Sequence, residues 1–125
     1  MILDTNAVSS LLEGDPALEA VLARELRHQL PVIVIGEYRY GLARSRLRRS
    51  LMPLFDELVR ESVVLAVRAE TAAAYATVRE ALRAKGTPIP ENDVWISALA
   101  VEHGLDIVSR DRDFDHVTGV RRRSW

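Results

Sequence analysis

Residues Pro88–His116 read PIPENDVWISALAVEHGLDIVSRDRDFDH. Pro88 and Pro90 forbid a helix and keep the start extended or turned. Asn92 then caps a helix that runs to about His103, with Gly104 as its stop. Leu105 to Val108 comes next as a strand candidate. A helix that feeds a strand through one glycine suits a parallel α/β fold. Asp111, Asp113 and Asp115 come directly after that strand, interleaved with Arg110 and Arg112.

The rest of the chain alternates in the same way. Ala69 to Lys85 is a long alanine-rich helix stopped by Gly86, and Val63 to Val67 is a strand candidate. Leu51 to Glu61 carries apolar residues at helical spacing. Val32-Ile33-Val34-Ile35 is an uninterrupted apolar run that reads as a second strand, closed by Gly36-Glu37, with a helix from about 37 to 46. Asp15-Pro16 opens a helix that should reach Gln29. Ala7 to Leu12 is a short helix, and Met1 to Leu3 is a strand ending in Asp4. A weak last strand lies around Val120. The order predicts one domain over residues 1–125, three α/β/α layers about a mainly parallel sheet of four or five strands.

In such sheets, ligands bind beyond the carboxyl ends of the strands. Asp4, Glu37, Asp111 and Asp113 lie just past three of the strand candidates. Asp93 sits in the first turn of its helix, where the dipole favours an anion. Each acid alone also reads as a helix cap or a surface ion-pair partner. Brought together, they would repel, and some would take up a proton unless a cation sat among them. Clustered oxygens without His or Cys suit Mg²⁺, with Mn²⁺ also acceptable, rather than zinc. Ser97, one turn beyond Asp93, could orient a carboxylate or simply pack.

The bulk properties narrow the classes. The 125 residues are 48% hydrophobic with net charge -1, which supplies a core but no basic coat for bulk DNA. Cysteine is absent, so disulfides and thiolate sites are excluded. No membrane span or leader pattern is visible, and the default expectation is a soluble cytoplasmic protein. Of the 17 basic residues only Lys85 is lysine. Arg44, Arg46, Arg48 and Arg49 form one arginine run, and Arg121 to Arg123 another. Either could hold phosphate, an acidic partner or solvent. Walker, GxGxxG and GxSxG motifs are absent.

The opening MILDTNAVSSLL, the internal GEYRYGL and the segment Pro88–His116 together resemble the PIN-domain family, most closely the VapC-type toxins of toxin–antitoxin pairs. The resemblance spans nearly the whole chain. It implies that Asp4, Glu37, Asp93 and Asp111 are the catalytic acids, and that Asp113 is an extra metal ligand near the fourth motif. It also implies that Thr5, Asn6 and Ser109 order the acids. Gly36 departs mildly from the family, where larger residues are common.

The function implied by the resemblance is that of a Mg²⁺-dependent endoribonuclease, which inhibits translation by cutting tRNA or rRNA. A VapB-type antitoxin would neutralise it, and homodimers are expected. Two alternatives stay open: a non-catalytic binding module of the same fold, and a metal-dependent DNA exonuclease or phosphatase. Asn6, where a phosphatase often places its second Asp, counts against the last.

Overall fold

The computed structural model describes residues 1–125. Five strands form one parallel sheet: β1 (Ile2–Leu3), β2 (Gln29–Pro31), β3 (Val63–Leu65), β4 (Ile107–Val108) and β5 (Arg122–Arg123). Their order is β3-β2-β1-β4-β5. Six helices connect them: α1 (Thr5–Leu12), α2 (Pro16–Leu22), α3 (Val32–Ala43), α4 (Arg48–Glu61), α5 (Ala69–Lys85) and α6 (Glu91–His103). A 3₁₀ turn covers Arg112–His116.

Successive strand residues point to opposite faces. Ile2, Leu3, Ile107 and Val108 are all fully buried. Helices therefore cover both faces of the central strands, giving the three layers. Leu18, Leu30, Val34, Phe55, Leu99 and Phe114 belong to the same core.

The chain first builds outward from β1 through β2 to β3, then crosses back to β4 on the other side of β1. The reversal creates a crevice at the carboxyl ends of β1 and β4, where α/β sheets bind ligands. Leu3 pairs with Val108. The next residues, Asp4 and Ser109, are thus delivered side by side.

Several boundaries differ from the sequence expectation. The run Val32–Ile35 is not a strand. It opens α3, and the strand is the preceding Gln29–Pro31. β-branched residues favour strands on average, but tertiary packing decides here. Val34, Tyr38 and Leu42 are buried at intervals of four, a helical stripe that the continuous apolar run concealed. Pro31 is the extended N-cap of this helix. Glu37 consequently lies inside α3 rather than at a strand end.

Helix α2 stops at Leu22 rather than near Gln29, because Gln29 belongs to the sheet; Leu26, past the helix end, is fully exposed. Asn92 does not cap α6. The carbonyl of Pro90 accepts from the Asp93 and Val94 amides, so the helix begins before Asn92. The last strand is Arg122–Arg123, paired with Ile107 and Val108, and not around Val120.

Candidate active site

The crevice is built first around Asp4, which is buried at the end of β1. Its Oδ2 accepts from Ser109 Oγ at 2.8 Å and from Asn6 Nδ2 at 2.9 Å. Ser109 is fully buried at the end of β4, and its hydroxyl also accepts from Asn6 Nδ2 (3.0 Å) and the Asp111 amide (2.9 Å). Every hydrogen-bonding position of that hydroxyl is used. Asn6 Oδ1 accepts from the Arg110 amide at 3.1 Å. Asn6 and Ser109 thereby tie the loop after β4 to the junction of β1 and α1.

The loop then turns through Asp111. Its Oδ1 caps the 3₁₀ turn by accepting from the Asp113 amide at 2.9 Å. Phe114, fully buried, anchors the turn in the core. Asp93 enters from α6, whose start is set by Pro88-Ile89-Pro90. Carboxylate oxygens of Asp93, Asp111 and Asp113 lie within 4.8 Å of one another. The tightest group thus includes Asp113 and leaves Asp4 beside it. Glu37 arrives from α3, and its Oε2 accepts from Thr5 Oγ1 at 3.2 Å. Its Oε1 is buried and makes no hydrogen bond of good geometry, although the Asn92 side chain is near enough to favour the carboxylate.

The electrostatics reflect this crowding. Burial, and then the charges of Asp4, Asp111, Glu37 and Asp113, push Asp93 up to about 7. Burial also raises Asp4, against the hydrogen bonds from Ser109 and Thr5 and with the charge of Asp111 added. Burial raises Glu37 too, partly offset by Thr5. None of the five acids forms an ion pair with Arg, Lys or His. Arg110 turns away from them, bonding Asp15 Oδ2 at 3.2 Å and lying over the Trp125 ring at 4.4 Å. Arg122 pairs with Asp115 through two contacts of 2.8 and 2.9 Å. Asp115 is therefore the surface ion-pair acid of its charge run.

All of the sequence-selected acids reach this crevice, together with Thr5, Asn6 and Ser109. Ser97 does not join them; its hydroxyl is buried without a partner. Two supports carried no local signal in the sequence. Arg122 Nη1 donates to the Ser109 carbonyl at 3.1 Å, and Trp125 Nε1 donates to Asp15 Oδ2 at 3.0 Å. Both are contacts across the fold. The second arginine run is largely occupied by acids, since Arg121 and Arg123 both pair with Asp106. Arg46, Arg48 and Arg49 are exposed and without ion pairs.

An oxygen-only donor set, an orphaned buried Glu37 oxygen and no counter-cation together fit a hard divalent ion. Asp93, Asp111 and Asp113, whose carboxylate oxygens lie together, are the residues that would hold such an ion.

Comparisons with known proteins agree with this geometry. The PIN domain family matches residues 1–120. Ribonuclease VapC2 of Haemophilus influenzae is 28% identical over 129 aligned positions, covering 99% of this chain and 96% of that protein. Toxin FitB of Neisseria gonorrhoeae is 28% identical, covering 89% of this chain and 87% of its own. Among solved structures, FitAcB from Neisseria gonorrhoeae superposes with a TM-score of 0.74 at 26% identity, over 97% of this chain and 94% of that one. DNA-bound VapBC from Salmonella typhimurium superposes with a TM-score of 0.88 at 24% identity, over 99% and 96%; at that identity the match speaks for the fold. With the family pattern running over almost the full length and its acids meeting in one crevice, this chain belongs to the PIN domain family and resembles its VapC-type members.

Proposed function

We propose that this protein is a divalent-metal-dependent endoribonuclease, the toxin of a toxin–antitoxin pair. The observation that carries the reading is the five-carboxylate crevice with no cation of its own. Relatives named as VapC ribonucleases supply the choice of RNA as substrate.

Asp93, Asp111 and Asp113 would hold Mg²⁺ or Mn²⁺, with Asp4 contributing directly or through water. The bound ion supplies Lewis-acid polarisation of the phosphodiester and an acidified water. Glu37, whose carboxyl is held above its ordinary value by burial, would orient the attacking water and receive its proton. Thr5 fixes one Glu37 oxygen. Asn6 and Ser109 hold Asp4 in one rotamer. In-line attack opposite the ribose 3′ oxygen leaves 5′-phosphate and 3′-hydroxyl ends. No 2′-hydroxyl chemistry is required, which accords with the absence of a histidine pair.

The partner of the toxin would be a VapB-type antitoxin, as the names of the solved VapBC and FitAcB structures indicate for those proteins. The RNA would belong to the translation apparatus, as tRNA or rRNA, and the protein would then act in the cytoplasm. No helix is long and apolar enough to cross a membrane. The expected homodimer would have twice the 14.0 kDa chain mass by light scattering.

Radiolabelled tRNA, rRNA fragments, single-stranded DNA and a phosphomonoester, tested side by side with and without EDTA, decide the substrate class. EDTA-sensitive cleavage of RNA is expected, and its loss in Asp4→Ala and Asp93→Ala at unchanged circular dichroism. Metal binding without cleavage of any substrate would instead identify a binding module. Preferential cleavage of DNA or of the monoester would overturn the RNA assignment.

A further inference from the structure

Beside the acids lies a second feature. A cavity of about 290 Å³ opens between α1, α3 and the start of α4, and Thr5 and Glu37 form part of its wall. It is therefore continuous with the acidic crevice. Leu42, Leu47 and Leu51 give it an apolar side, and Glu13, Tyr38 and Ser45 give it a polar one. The Glu13 carboxylate makes no ion pair or side-chain hydrogen bond. Burial raises the Tyr38 phenol above its ordinary value, and the charge of nearby Glu13 adds to the effect. Two acidic walls, Glu13 and Glu37, repel an acidic occupant. Along the segment that carries Ser45, Leu47 and Leu51, the interleaved Arg46, Arg48 and Arg49 are exposed and free of acids.

An apolar slot with a free acceptor, with unpaired arginines interleaved along the segment that forms one wall and an opening onto the acidic crevice, matches one chemistry. Single-stranded RNA is read by splaying out a base, packing its face and bonding its edge. Guanidinium groups hold the adjacent phosphates. We propose that this cavity receives one unstacked base of the RNA beside the scissile phosphate, with Glu13 selecting guanine and Arg46, Arg48 and Arg49 holding the backbone. Guanine is the standard base that offers two adjacent donors, N1–H and N2–H, to one carboxylate. The inference rests on the ribonuclease reading above.

The test uses the full chain and a hairpin RNA with a fully randomised loop, cleaved in Mg²⁺ and sequenced at its new ends. Wild type is expected to enrich guanine at one fixed offset from the cut. Glu13→Gln, which replaces one acceptor oxygen by a donor, is expected to reduce that preference by roughly tenfold to a hundredfold. Replacing Arg46, Arg48 and Arg49 together by Gln is expected to raise KM more than it lowers kcat and to flatten the salt dependence of binding. Leu47→Glu, at an exposed position, is expected to weaken cleavage without loss of thermal stability.

Metal-dependent cleavage with no fixed base preference, or with one untouched by Glu13→Gln, overturns the base pocket and leaves the nuclease reading standing. Absence of any RNA cleavage overturns both. Unchanged RNA cleavage by Leu47→Glu, with lost binding of a co-expressed antitoxin, would assign the cavity to the protein partner and also overturn the proposal.

Discussion

Asp93 lies in the first turn of α6, where the helix dipole favours its anion, yet burial and four neighbouring carboxylates push it up to about 7. A carboxylate with a raised folded-state value stabilises the fold fully below its unfolded value near 4. That contribution is lost as the pH rises toward 7. Asp93→Asn should therefore raise the melting temperature of metal-free protein at pH 8 and leave it nearly unchanged at pH 4, as measured by calorimetry. An equal effect at both pH values would place the repulsion elsewhere. Ser109→Ala makes a different prediction. It leaves Asp4 Oδ2 with one donor fewer and the Asp111 amide without a partner, so chemical denaturation should show a loss of about 1–3 kcal/mol. The acids themselves were legible in the sequence because several segments deliver them to one edge of the sheet, although none stood out alone. The Glu37–Thr5 bond and the free Glu37 oxygen were not, because they depend on α3 beginning at Val32.

At the scale of elements, the loop from Ser109 to Phe114 is held from three sides. Asn6 grips it from α1, Arg122 from β5, and the Phe114 ring from the core. Phe114→Ala should destabilise the protein by about 3–5 kcal/mol in chemical denaturation, whereas Phe114→Leu should be tolerated better. Trp125→Ala removes the ring over which Arg110 lies and the donor to Asp15. It should weaken Mn²⁺ binding more than it lowers stability, because the loop it steadies carries Asp111 and Asp113; Trp125→Phe, which retains a ring, should recover part of the affinity. Equal Mn²⁺ affinities for Trp125→Ala and wild type would show that the loop is ordered without it. Helices α5 and α6 were legible almost to the residue through Gly86 and Gly104, both left-handed C-caps. Helix α3 was not, because four consecutive apolar residues erase the periodicity that separates helix from strand.

The whole molecule turns the reversal of strand order into chemistry. β1 and β4 place Asp4 and Ser109 in adjacent positions, and α3 and α6 bring Glu37 and Asp93 to the same edge. The layer order and the parallel sheet could be read from the chain, since both arise from alternating buried runs and helices. The cavity bounded by Glu13, Tyr38 and Leu47 could not, since it joins three helices with no shared pattern. The central claim is that the acid cluster is a divalent-metal centre. Calorimetric titration of Mn²⁺ into the chain, in two buffers of different ionisation enthalpy at pH 6, tests it most directly. Predicted are saturable binding with proton release, because Asp93 is largely protonated there, and loss of that binding in Asp93→Asn. Saturable binding that is equal in the variant, or no binding at all, would contradict it.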